Sequence, residues 1–305
     1  MSDEASTASS GNSDAIAAAS DSSDANAPAD TAVAQDTAPA APQPPAPVAY
    51  PGTCPDLQTG SVEISAAGNS RTMQLYLPAE PKGAGVLFLW HGLGDSAKNF
   101  ASAMGAKNLA EQLGVIVAVP NSCCAYPVQK ACCNQATGWN FAGEFDRDLS
   151  LFDGAISCLD QQHAIDRTRI YSSGFSAGAL WTTFLLMNRG EYLAAAGPMS
   201  GGINGFNPWT PTKRAVPVID TSGGPTDTFG GGIIDFQAST EELNSELRKA
   251  GHFVVHCQHS LGHTVPSAMA KFVMEFLVAH RWGDSTSPMA AGLPAKAPSG
   301  CKIVP

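Results

Sequence analysis

Two uninterrupted apolar runs, Val86-Leu87-Phe88-Leu89-Trp90 and Val115-Ile116-Val117-Ala118-Val119, constrain this chain more than any other feature. A strand with one wet face alternates apolar and polar residues. A short run that is apolar at every position, bounded by Gly and Pro, suits a strand buried on both faces of a parallel sheet. Residues 169–172, 194–199, 216–221 and 253–257 are further strand candidates. Helix signals stand between them. Leu149, Phe152, Ile156 and Leu159 form one apolar stripe behind Asp148 as N-cap. A second helix spans 177–189 and stops at Gly190. Ser239 and Glu242 read as a capping box for a helix that Gly251 ends. Met269, Phe272, Val273, Phe276 and His280 line a last helix running to Trp282. Residues 61–77 alternate apolar and polar around Ala67-Gly68-Asn69-Ser70, as an antiparallel hairpin at a sheet edge does. Strand and helix otherwise alternate, which predicts an α/β fold: a mostly parallel sheet with helices on both faces.

Residues 1–50 differ from the rest. They are almost all Ala, Ser, Asp, Thr, Gly, Asn and Pro, too little apolar surface to offset the entropy of ordering. They read as a disordered acidic tether, 51–283 as one domain, and 284–305 as a loose tail held by Cys301. Seven of the 27 acids and none of the 17 bases lie in the tether, leaving a net −3 elsewhere. No basic stripe suggests nucleic acid. No run is long enough to span a membrane, and the start as written carries no signal peptide. Eight cysteines are nevertheless unusual for a cytosolic enzyme. A polar spacer ahead of a Cys-containing domain is similar to the one behind a bacterial lipoprotein anchor. The expectation is an extracellular or cell-surface monomer, with membrane tethering through a lipid anchor upstream of the given start.

The sharpest chemical signal is Gly174-Phe175-Ser176-Ala177-Gly178, directly after a strand candidate and directly before a helix. A Ser at such a turn holds its hydroxyl clear of the sheet, and the helix N-terminus aims N–H groups at charge developing nearby. The hydroxyl needs a base, and the base an orienting carboxylate, in the chain order Ser, acid, His. His263, in the loop after the last parallel strand, is the expected base ahead of His259. His252 and His256 lie in or beside that strand and read as structural. Asp227, past the end of the strand at 216–221, is the expected acid, with Asp220 second and Asp235 third. Ala177 and Leu93 supply the expected oxyanion-hole N–H donors, Leu93 from the His91-Gly92-Leu93-Gly94 loop after a buried strand.

His91-Gly92 after an apolar strand, residues 165–171 leading into Gly174-Phe175-Ser176-Ala177-Gly178, and Gly262-His263-Thr264-Val265-Pro266 together resemble the polyhydroxybutyrate depolymerase and feruloyl-esterase-like branch of the α/β hydrolases. The resemblance covers roughly residues 53–282. It implies an α/β-hydrolase fold and a serine esterase acting on polyester or feruloyl-type esters through an acyl-enzyme, with neither metal nor organic cofactor. It implies that Trp139, in Thr137-Gly138-Trp139-Asn140-Phe141, stacks on substrate; a buried loop anchor is the alternative. Two positions depart from the family pattern: Ser222-Gly223-Gly224 stands where His-Gly is common, and Ala179 follows Gly178 where Gly is usual. A serine peptidase on the same fold and a catalytically silent surface-binding relative are the rival readings.

Cys123-Cys124 and Cys132-Cys133 crowd the loop before Trp139. Disulfides are expected there, with a four-thiolate zinc site as the alternative. Cys54 and Cys301, near the two ends of the domain, are expected to pair, and Cys158 and Cys257 read as small core residues.

Overall fold

The computed structural model describes residues 43–122, 138–140 and 146–305. Most of the tether and all four cysteines of the loop before Trp139 lie outside the described residues. Nine strands form one sheet in the order β1-β2-β4-β3-β5-β6-β7-β10-β11. β1 (Gly60–Ala66) and β2 (Asn69–Tyr76) are the antiparallel edge hairpin. The centre is parallel: β3 (Gly85–Trp90), β4 (Val115–Pro120), β5 (Ile170–Phe175), β6 (Ala195–Met199), β7 (Val218–Ser222) and β10 (Val254–Gln258). β11 (Cys301–Ile303) closes the far edge antiparallel to β10.

The apolar runs explain this layering. In β3, Val86, Phe88 and Trp90 join one core cluster, and Leu87 and Leu89 join the other. In β4, Ile116 and Ala118 face the first cluster, and Val115, Val117 and Val119 the second. The first is covered by α3 (Asp146–His163), α4 (Ala177–Arg189) and α5 (Phe236–Lys249). The second is covered by α1 (Ala97–Met104), α2 (Ala106–Leu113) and α6 (Ser267–Ala279). A small hairpin, β8 (Thr228–Phe229) and β9 (Ile234–Asp235), stands apart between β7 and α5.

Four expectations need correction. Asp148 does not cap α3 but lies inside it, fully buried and paired with buried Arg71 at 2.6 Å. Ser239 lies inside α5, whose cap is Asp235; its Oδ1 accepts the Ala238 N–H at 3.0 Å. Cys54 pairs with Cys158, and Cys257 with Cys301. The pairing follows from register, because Cys257 and Cys301 face each other across β10 and β11. The segment 284–305 is not loose: Met289, Leu293, Ala297 and Ile303 pack against the second cluster, and β11 extends the sheet.

Candidate active site

At the C-terminal end of β5 the chain turns sharply into α4. Ser176 sits at the turn with φ 58° and ψ −120°, a conformation that costs a residue with a side chain roughly 1–3 kcal/mol. The flanking glycines make the turn sterically feasible. A Cβ on Gly178 would lie 2.0 Å from the Trp90 carbonyl oxygen, and one on Gly174 would lie 2.4 Å from the Gly178 carbonyl oxygen. The Ser176 N–H donates to the Met199 carbonyl at 3.0 Å, pinning the turn to β6.

Two loops from neighbouring strand ends meet this serine. His263, after β10, places Nε2 2.8 Å from Ser176 Oγ. Its Nδ1 lies 2.7 Å from Asp227 Oδ1. A carboxylate only accepts, so Nδ1–H donates to Asp227 and Nε2 is free to accept the serine proton. The rings of Phe236 and Phe175 stack on the imidazole, with centroids at 4.4 and 4.8 Å. Asp227 is fully buried, and its Oδ2 accepts the Gly223 N–H at 2.7 Å. The Gly223 carbonyl in turn accepts the Gly262 N–H at 3.0 Å, so Gly223 ties the acid loop to the histidine loop.

The other acids and histidines are engaged elsewhere. Asp220 pairs with His256 Nδ1 at 2.5 Å, and burial raises its pKa above the usual carboxylate range. Asp235 is the α5 cap. His259 Nδ1 accepts the Leu261 N–H at 3.2 Å. His252 Nδ1 faces Val216, and His280 lies between Phe276 and Ser287.

Leu93 and Ala177 both border Ser176 in a hollow of about 110 Å³. The Leu93 loop passes directly beside the serine: a Cβ on Gly92 would meet the Ser176 Cβ at 3.5 Å, an ordinary contact. His91 shapes this loop. Its Nε2 accepts the Ser122 N–H at 3.1 Å, so the ring proton sits on Nδ1 and donates to the Gly92 carbonyl at 2.8 Å. Burial lowers the His91 pKa, which keeps this neutral tautomer. Trp139 stands beside the same loop. It is buried, its Nε1–H donates to the His91 carbonyl at 2.8 Å, and it packs edge-on against Trp90, yet it also walls the hollow.

The remaining wall is Leu180 with Phe229, Ile234 and Phe236, from β8, β9 and the start of α5. None of these four residues is a site candidate from the sequence. Phe229 on one side and Ile233-Ile234 on the other of Gly230-Gly231-Gly232, three glycines at positive φ, are the available hairpin signal. A second cavity of about 490 Å³ opens between α1 and α6, bordered by His263 and Phe175. Among the described residues, no group of three His, Cys, Asp or Glu is placed to hold a metal ion. The arrangement can activate a hydroxyl as nucleophile with two backbone donors beside it.

No protein-family model matches the chain, and no curated protein does. Solved structures do. The chain aligns with native sOPH at a TM-score of 0.66 and 17% identity, over 84% of this chain and 96% of that one. It aligns with a complex of a serine-to-alanine variant of pOPH and pNPB at 0.65 and 19%, over 85% and 97%. A ferulic acid esterase aligns at 0.55 and 14%, over 72% and 96%. At such identities the likeness concerns architecture. Together with the sheet order and the strand–serine–helix turn, it shows that the chain has the α/β-hydrolase fold.

Proposed function

We propose that the protein is a serine ester hydrolase working through an acyl-enzyme, with Ser176 as nucleophile, His263 as general base and acid, and Asp227 as the orienting carboxylate. The observation that carries this reading is the continuous Asp227–His263–Ser176 hydrogen-bond line at 2.7 and 2.8 Å on a serine in a strained strand-to-helix turn. Ser176 Oγ attacks the ester carbonyl carbon while His263 Nε2 takes its proton. The imidazolium is stabilised by buried Asp227, and the oxyanion is received by the N–H groups of Leu93 and Ala177. Each such donor contributes on the order of 10²–10³ in rate. His263 then protonates the alcohol oxygen, which leaves. Water, deprotonated by the same nitrogen, releases the acid and restores Ser176. Polyester and feruloyl-type esters are the substrates that the resemblance suggests.

The same reading takes the protein to be exported, secreted or lipid-anchored at the cell surface, and to act as a monomer. The disulfides Cys54–Cys158 and Cys257–Cys301 support an oxidising compartment.

The test is Ser176→Ala together with a fluorophosphonate probe. The variant is expected to lose on the order of 10⁶ in kcat with its thermal transition intact, and the probe to label Ser176 alone. Turnover near the wild-type rate, or labelling at another residue, overturns the proposal.

A further inference from the structure

The two cavities beside Ser176 and His263 differ more than fourfold in volume, about 110 against 490 Å³, and they touch different catalytic groups. Resting on the ester-hydrolase reading, we infer that the smaller holds the acyl chain and the larger the alcohol, so that the preferred substrates are esters of short straight-chain acids with bulky apolar alcohols.

The assignment follows from where atoms must go. In acylation Ser176 Oγ bonds to the carbonyl carbon, and the carbon–oxygen bond to the alcohol breaks. His263 Nε2 passes the serine proton to the departing oxygen, so the alcohol lies on the imidazole side. The carbonyl oxygen points at the N–H groups of Leu93 and Ala177. The acyl chain takes the remaining direction. His263 borders the larger cavity and not the smaller; Ser176, Ala177 and Leu93 border the smaller and not the larger. Deacylation consumes one water and returns the acid, with no other reactant.

The sizes then select the groups. At about 110 Å³ the smaller hollow falls below a cavity that accepts benzene, about 150 Å³, so it suits a short straight chain. An aromatic acyl group is too large for it, which excludes the feruloyl type among the esters that the resemblance suggests. The wall does not retreat easily, because Trp139 is fixed by its bond to the His91 carbonyl and by Trp90. Among the described residues no charged side chain lines this hollow, so a charged acyl group finds no partner among them. The larger cavity is apolar through Phe100, Met104, Met199, Val265 and Met274, with Asp95 and Lys271 as its charged lining residues. Its methionines are unbranched and adapt to varied ring shapes.

The test uses the full chain and two ester series. Among p-nitrophenyl acetate, butyrate, octanoate and benzoate, kcat/KM is expected to peak at butyrate and fall at least about tenfold at octanoate and benzoate. Among the butyrates of ethanol, benzyl alcohol and naphthylmethanol, it is expected to rise with alcohol size. Ile234→Ala, which opens the smaller hollow, should raise octanoate relative to butyrate by about tenfold. Octanoate or benzoate turned over faster than butyrate, or ethyl butyrate faster than its naphthylmethyl analogue, overturns this inference alone. Absence of turnover with every ester overturns the ester-hydrolase reading and this inference with it.

Discussion

Replacing Asp227 by Asn changes one atom, and the surroundings dictate how the new amide must sit. In the native site Asp227 Oδ2 accepts the Gly223 N–H at 2.7 Å, while Oδ1 faces His263 Nδ1 at 2.7 Å. An amide has one oxygen, and the Gly223 donor requires it. The reverse orientation would set an NH₂ group against a buried N–H, at a cost of about 1–3 kcal/mol. The side-chain nitrogen introduced by Asp227→Asn therefore donates to His263 Nδ1, which must become an acceptor. The ring proton moves to Nε2, 2.8 Å from Ser176 Oγ, where a lone pair is needed. Such a tautomer trap costs about 10⁴ in kcat, or about 5.4 kcal/mol of transition-state stabilisation. Steady-state hydrolysis of p-nitrophenyl butyrate by D227N, D220N and D235N, with thermal unfolding of each, measures it. Asp220 faces His256, and Asp235 caps a helix as Asn also can, so both variants should stay within about tenfold of wild type. A loss below tenfold in D227N, or a larger loss in D220N, would refute the reasoning.

Two further outcomes follow from covalent links and buried imidazoles. The Cys54–Cys158 and Cys257–Cys301 bridges span sequence separations of 104 and 44. Chain entropy sets their upper contributions at about 4.7 and about 4 kcal/mol, so denaturant unfolding of the paired Ser variants should show the greater loss for Cys54/Cys158; the reverse order would contradict this. Burial lowers the pKa of His91, His252 and His280, so the unfolded chain takes up protons near pH 6.5 that the folded chain does not. Stability should be full above that pH and fall below it, by up to about 1.4 kcal/mol per pH unit for each ring. A melting temperature that stays flat from pH 7.5 to 5, or an unchanged slope in His252→Gln, would count against it.

Local physics made much of this protein legible in its sequence. Short runs that are apolar at every position and bounded by Gly and Pro suit the middle of a parallel sheet, and the runs at 86–90 and 115–119 became β3 and β4. The spacing of Gly174, Ser176 and Gly178 reflects a turn that tolerates no Cβ on either side, a restraint written within five residues. Whatever depended on distant partners was not legible. Asp148 looked like a helix cap until Arg71, far away in sequence, was folded against it. Cys257 found Cys301 because β11 added to the sheet edge, which no local pattern in 284–305 announced. For the acid, the expected strand end already put Asp227 ahead of Asp220, and the packed sheet adds the two histidines, His256 and His263, each 36 residues beyond its acid. Strand length and loop closure decide such distances, and both are properties of the packed sheet. The wall of the smaller cavity is likewise tertiary, because Leu93, Trp139, Leu180 and the stretch carrying Phe229 and Phe236 meet only when four separate segments converge above the strand ends.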